Sequence, residues 1–173
     1  MDIKYKYLFE LDNSEINELM IILSNKETMK WIKNGKPWTI DYINDLIKYS
    51  KEDYDNNFKN IEYVYLCVIL NNKVIGFCGL HPMIKIKSTI NGLQILIIVH
   101  PEYRGKGISK LMIEKLLKFN NIFLHKNIYS LVSISNIPSN KSLGKYKSTK
   151  QQVIIKNKKF YMYELNKSNN NSN

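Results

Sequence analysis

Cysteine and histidine are scarce in this chain of 173 residues: only Cys67 and Cys78, and only His81, His100 and His125. Neither type recurs at the paired spacing that a zinc site uses, so no metal centre is expected. The two cysteines lie on apolar runs flanking Asn71-Asn72. A two-residue turn there sets Cys78 opposite Tyr65 rather than Cys67, which leaves the thiols diagonal and predicts buried free thiols instead of a disulfide. Long hydrophobic segments are missing too. Apolar stretches such as Ile95 to Val99 are too short to span a bilayer, and the start Met1-Asp2-Ile3-Lys4-Tyr5-Lys6 is too charged for a signal peptide, so a cytoplasmic protein with no membrane partner is the expectation. No internal repeat is present. Length and a 44% hydrophobic content suit one domain over residues 1–165, followed by a polar, disordered tail at 166–173.

Acidic side chains are outnumbered, 15 against 26 Lys and Arg, for a formal net charge of +11 and a sequence pI of about 9.5. Such a field draws in anions and opposes a polycationic substrate, unless acidic residues are gathered locally. The lysines are scattered rather than interleaved with aromatics on one face, which reads as a solvated surface more than as a nucleic-acid interface.

Against these absences stands one segment, Val99-His100-Pro101-Glu102-Tyr103-Arg104-Gly105-Lys106-Gly107-Ile108-Ser109-Lys110-Leu111. An apolar strand, Leu93 to Val99, broken only by Gln94, runs into a glycine-spaced turn. Beyond it Ile108, Leu111, Met112, Leu116 and Phe119 recur at helical spacing. The first N–H groups of a helix have no intrahelical partner and sit at the positive end of its dipole, so a diphosphate can lie across them. A P-loop is excluded because G-x-x-x-x-G-K-[ST] is not completed. A dinucleotide fingerprint is excluded because Lys110 stands where a third glycine is needed and no carboxylate follows in Phe123 to Tyr129.

Arg104-Gly105-Lys106-Gly107-Ile108-Ser109 resembles motif A, R/Q-x-x-G-x-G/A, of the GNAT superfamily of acyl-coenzyme A-dependent N-acyltransferases, with Ser109 in place of the final Gly or Ala. The element order supports the resemblance across Tyr5 to Leu165. Tyr5–Leu11 reads as a strand. A helix follows from Asp12-Asn13 with Glu15 completing a capping box, then a short helix over Asn25–Lys33 and another from Thr39 to about Tyr49. Tyr63–Leu70 and Lys73–Leu80 form a hairpin. Leu93–Val99 is a strand, Gly107–Phe119 a helix, Ile128–Ile134 a strand, Ser139–Lys147 a helix, and Gln152–Ile155 with Phe160–Leu165 a closing hairpin. This is mixed α/β. The resemblance implies a mostly antiparallel twisted sheet of six to seven strands flanked by about four helices.

The front of the chain, Asn25 to Ile32 and Gly35-Lys36-Pro37-Trp38-Thr39, is similar to the GNAT branch that acetylates protein N-termini, of ribosomal-protein-alanine type, and small amines. There it borders the acceptor cleft, which makes Trp31 and Trp38 candidates for the cleft wall, with a core role as the competing reading. Asn136-Ile137-Pro138-Ser139 resembles the branch's N-x-x-S, which implies that Asn136 holds the pantetheine arm and Ser139 lies near the sulfur; both are also ordinary helix caps. The tyrosine that often protonates the departing thiolate is matched by Leu143, with Tyr146 on a neighbouring face as a substitute. The glutamate often found in the fourth strand is matched by Gln94, an amide that cannot take a proton at neutral pH.

The resemblance therefore implies acetyl-coenzyme A as cosubstrate, held by Arg104, Gly105, Lys106, Gly107, Ile108 and Ser109 at the diphosphate and by Ile97, Ile98 and Val99 along the pantetheine. A homodimer follows by analogy alone. The reaction needs a proton to leave an amine of lysine-like pKa, about 10.4, before it attacks a thioester. His81 is the first candidate base, with a loop histidine as the alternative. His100 lies in the anion loop, His125 has no motif around it, and Asp53 and Glu62 are candidates through water. The expected activity is acetyl transfer to a primary amine by direct attack in a ternary complex. A noncatalytic acyl-coenzyme A sensor or basic adaptor is the alternative.

Overall fold

Asn71 (φ 50°) and Asn72 (φ 58°) both adopt the left-handed backbone that a tight hairpin needs, and asparagine tolerates it better than most residues. They join β2 (Val64–Leu70) to β3 (Lys73–Pro82) in a computed structural model that describes residues 2–32, 35–56, 63–83, 92–146 and 148–165. Lys156 and Asn157 make the same kind of turn between β6 (Ser148–Ile155) and β7 (Lys158–Leu165). With β1 (Ile3–Tyr7), β4 (Leu93–Val99) and β5 (Ile128–Ser133), these strands form one sheet in the order β1-β2-β3-β4-β5-β7-β6. Every neighbouring pair is antiparallel except β4 and β5.

Among the described residues five α-helices flank the sheet, in keeping with the about four that the resemblance implies. Helices α1 (Asn13–Ser24), α2 (Lys26–Met29) and α3 (Ile40–Asp55) lie on one face, over a core that includes Leu19, Leu23, Ile43, Leu46, Cys67, Phe77 and Ile98. Helices α4 (Ile108–Phe119) and α5 (Ile137–Leu143) lie on the other, over Leu66, Val68, Ile75, Cys78, Leu80 and Ile95. The spacing of Ile108, Met112, Leu116 and Phe119 turns one stripe of α4 into that core, each side chain contributing about 1.5–3 kcal/mol by burial, whereas Leu111, expected on the same stripe, lies at its edge and is 39% exposed. Among the described residues no helix is long and apolar enough to cross a membrane.

Three local expectations are corrected. The first strand ends at Tyr7, not Leu11: the Glu10 carboxylate accepts from the Tyr7 N–H at 2.8 Å and bends Leu8–Glu10 into a single 3-10 turn. The helix expected over Asn25–Lys33 is only Lys26–Met29, capped by Asn25 Oδ1, which accepts from the Thr28 N–H at 2.9 Å. Cys78 is opposite Leu66, not Tyr65. Between Ile69↔Val74 and Val68↔Gly76 the register slips by one, with Ile75 the extra residue, and a one-residue slip changes which side chains share a face. Cys67 and Cys78 thus enter different cores on opposite faces, both as free thiols whose pKa burial pushes up. The polar tail at 166–173 lies outside the described residues.

Candidate active site

Strands β4 and β5 pair at only two positions, Leu93↔Ile128 and Gln94↔Tyr129, and then part. The direction of the backbone along β4 follows from two bonds. The His100 N–H donates to Ile75 O on the β3 side, whereas the Leu93 N–H donates to Asn127 O on the β5 side. By strand alternation Ile95, Ile97 and Val99 turn their N–H and C=O groups into the gap, while Ile98 turns its own toward Phe77 of β3. Ile98 also buries its side chain, at 2% exposure. Of the three residues expected to pair along a pantetheine, Ile97 and Val99 turn their backbone groups into the gap and Ile98 turns its own toward β3.

The gap opens toward the glycine turn. Gly105 (φ +76°) and Gly107 (φ +80°) take left-handed conformations that cost other residues about 1–2 kcal/mol, and a Cβ at either would meet no atom within 4 Å. Backbone handedness requires glycine here, and the space in front of the turn is open. Gly107 caps α4 with no side-chain bond, so the N–H groups of Ile108 and Ser109 have no intrahelical acceptor. The Ile108 side chain packs in the core at 1% exposure, leaving its amide for the surface. Lys106 is exposed, its ammonium 5.1 Å from the Tyr103 ring. His100 Nδ1 accepts from the Glu102 N–H at 3.3 Å, and its ring meets Tyr103 edge-on.

Arg104 does not point forward from the turn. Its Nε donates to Val99 O at 3.2 Å and its Nη2 to Thr28 Oγ1 at 2.8 Å, so the guanidinium braces the end of β4 against α2. Helix α5 closes the other side. Asn136, 8% exposed, accepts from the Ser139 N–H at 3.4 Å as the helix cap, and Ser109 and Ser142 hydroxyls lie 3.4 Å apart, linking the first turn of α4 to α5. The Tyr146 hydroxyl donates to Lys110 O at 3.3 Å, and burial, with Glu114 second, pushes its pKa up to about 12. Leu143 is core.

These observations describe a two-sided slot: outward-facing strand amides, a helix N-terminus with open space before it, and a capped helix alongside. A linear carrier ending in a diphosphate fits that donor set. The chain from 7 to 148 matches the acetyltransferase (GNAT) domain. It belongs to the GNAT acetyltransferase family. The GNAT domain is an acetyl-coenzyme A-dependent acetyltransferase. A comparison with curated proteins gives no match. Solved structures share the fold at low identity. An N-acetyltransferase from Staphylococcus aureus Mu50 superposes with a TM-score of 0.70 at 16% identity, covering 96% of this chain and 99% of its own. The Salmonella typhimurium protein yncA, solved with its cofactor acetyl-CoA, gives 0.70 at 12% identity, with 95% and 94% covered. A spermidine N-acetyltransferase variant from Vibrio cholerae gives 0.63 at 16%, with 94% and 92% covered.

In this GNAT domain the acceptor-side candidates divide. Trp31 is 42% exposed beneath the Lys30 ammonium. Trp38 is a core residue at 7% exposure, edge-on to Tyr42 and Phe77, because its large indole fills the space between α3 and β3. His81 stands opposite Gln94 across β3 and β4, and its Nδ1 lies 3.0 Å from Pro82 O. A carbonyl only accepts, so Nδ1 is the donor of that bond. Asp53 accepts from the Tyr63 N–H at 2.6 Å, His125 is exposed beyond α4, and Glu62 lies outside the described residues.

Sequence reasoning missed three groups. Thr28 receives Arg104. Asn140 Nδ2 donates to Ser133 O and Asn136 O while its Oδ1 accepts from Tyr163, which pins the β5–α5 turn. Tyr129 stands beside Gln94, with Glu164 opposite it on β7. The parity of β5 flags Tyr129, but nothing local pairs it with Glu164.

Proposed function

We propose that this GNAT domain is an N-acetyltransferase that passes the acetyl group of acetyl-coenzyme A to a primary amine, either a small amine or a protein N-terminus, by direct attack in a ternary complex in the cytoplasm. The single observation that carries the reading is the parted β4–β5 edge, where Ile97 and Val99 face the gap beside the glycine turn. On this reading the amides of Gly107, Ile108 and Ser109, with Lys106, hold the diphosphate. Gly105 shapes the turn. The outward groups of Ile97 and Val99 pair with the pantetheine amides, and Asn136 and Ser139 flank the sulfur.

The bound cosubstrate supplies an activated acetyl thioester. The protein's part is to orient, to take a proton and to stabilise charge. Holding both reactants in line contributes about 7–11 kcal/mol in well-oriented systems, enough for proximity to be the largest effect. His81 Nε2 takes the ammonium proton. A strand N–H in the gap stabilises charge on the carbonyl oxygen. The thiolate, with a pKa near that of cysteine at about 8.5, leaves without a strong acid. Thiol release from acetyl-coenzyme A, measured across peptides, polyamines, aromatic amines and amino sugars, identifies the acceptor; no release with any of them contradicts catalysis.

A second reading, a noncatalytic acyl-coenzyme A sensor, is favoured by two placements: Gln94 where the family often has a carboxylate, and Tyr146 bound to Lys110 O on α4. Cofactor binding by calorimetry without turnover supports it.

A further inference from the structure

Cross-strand pairing places His81, Gln94, Tyr129, Glu164 and Thr149 in one row over five strands, His81↔Gln94↔Tyr129↔Glu164↔Thr149. Directly paired residues project from the same face, and this is the face of Phe77 and Ile98, away from α4 and α5. The row crosses the sheet at the apex of the β4–β5 gap, since Gln94↔Tyr129 is the last pair before the strands part. At a strand spacing of about 4.8 Å, the Gln94 and Glu164 backbones are about 10 Å apart with Tyr129 between them.

The row holds one carboxylate, that of Glu164, on a chain of net +11. Glu164 is partly exposed, accepts from Thr149 Oγ1 at 3.4 Å and is within hydrogen-bonding reach of the Tyr129 hydroxyl. Tyr129 is held in place: a Cβ on Gly92 would meet its ring at 2.7 Å, so the glycine makes room for it. Burial first, then the Glu164 charge, raises the Tyr129 pKa, so its hydroxyl keeps its proton beside that carboxylate. Gln94 Oε1 is buried with no donor among the described residues, and a buried acceptor left so costs free energy. Alongside, Leu131, Met162 and Val153 give an apolar floor on the same face.

The geometry points to Glu164 as the residue that holds the acceptor's ammonium group: a carboxylate two strands from the Gln94 position, selecting an aliphatic cationic amine whose chain lies on Leu131 and Met162 and whose proton goes to His81. The balance is simple. The N–H bond of R–NH3+ breaks, its proton passes through water to His81 Nε2, three strands from Glu164, and the nitrogen lone pair is released for attack while Glu164 stays ionised throughout. This rests on the acetyltransferase reading above and adds to it the acceptor class.

Thiol release is measured with n-butylamine, cationic at neutral pH, and with p-anisidine, neutral there. Glu164→Gln, nearly isosteric, is expected to raise KM for n-butylamine about tenfold or more, the worth of a lost ion pair of about 1.4 kcal/mol, with KM for acetyl-coenzyme A and the p-anisidine rate unchanged. Adding Gln94→Glu returns a carboxylate to the row and is expected to restore most of the loss. An unchanged KM for n-butylamine, an equal loss with both amines, or no turnover of n-butylamine by the unsubstituted protein overturns the assignment. Calorimetry with acetyl-coenzyme A separates the two levels: retained cofactor binding with no acceptor discrimination sinks Glu164 alone, and no binding by either protein sinks the acetyltransferase reading as well.

Discussion

Arg104 Nη2 donates to Thr28 Oγ1 at 2.8 Å across 76 positions of sequence, while its Nε holds Val99 O at 3.2 Å. The arginine of the glycine motif therefore ties the end of β4 to α2, and Thr28 is 7% exposed, so the bond is sheltered at that end. Thr28→Val keeps the shape and removes the acceptor. A bond with one charged partner contributes about 1.5–3 kcal/mol when shielded, and the exposed reach of Arg104 lowers the expectation to about 1 kcal/mol. Urea unfolding checks it, and an unchanged midpoint contradicts the brace.

His81→Ala is expected to slow acetyl transfer more at neutral pH than at about pH 9, where an amine of pKa about 10.4 supplies more of its own free base. Rates at the two pH values decide. An equal loss at both removes His81 from the role of base.

Tyr146 gives a stability prediction at high pH. Burial raises its folded pKa to about 12 against an ordinary 10.0, so between these values the unfolded chain releases a proton that the folded chain retains. Unfolding is then favoured as pH rises, and the Tyr146 contribution is present below pH 10.0 and lost progressively toward about 12. Melting temperatures measured across this window are expected to fall less steeply in Tyr146→Phe. Parallel curves contradict the assignment.

The glycine turn and both hairpins were legible because each depends on a residue that tolerates left-handed backbone: Gly105, Gly107, Asn71, Asn72, Asn157. The α4 stripe was legible because its spacing admits one buried face. The Ile75 bulge was not, since an extra residue in a continuous apolar strand leaves no local mark, and it moved Cys78 to the opposite face from Cys67. Trp38 satisfies the composition of a cleft wall and of a core equally, and only its packing against Phe77 decides. Arg104 matched the motif in sequence but spends its donors on Thr28 and Val99. The His81–Glu164 row depends on strand order, which joins residues 83 positions apart by pairing rather than by pattern.

Gly107→Val tests the turn itself. At φ +80° a β-branched residue is strained, by about 1–2 kcal/mol, although its Cβ meets nothing within 4 Å. Far-UV circular dichroism is expected to show the helix intact while calorimetry shows acetyl-coenzyme A binding lost; unchanged affinity contradicts the diphosphate assignment.

The most direct measurement is the crystal structure of the complex with acetyl-coenzyme A. The account predicts the diphosphate against the Gly107, Ile108 and Ser109 amides and the pantetheine bonded to Ile97 and Val99 between β4 and β5. A diphosphate bound elsewhere, or strands β4 and β5 closed on each other with the carrier outside them, contradicts it.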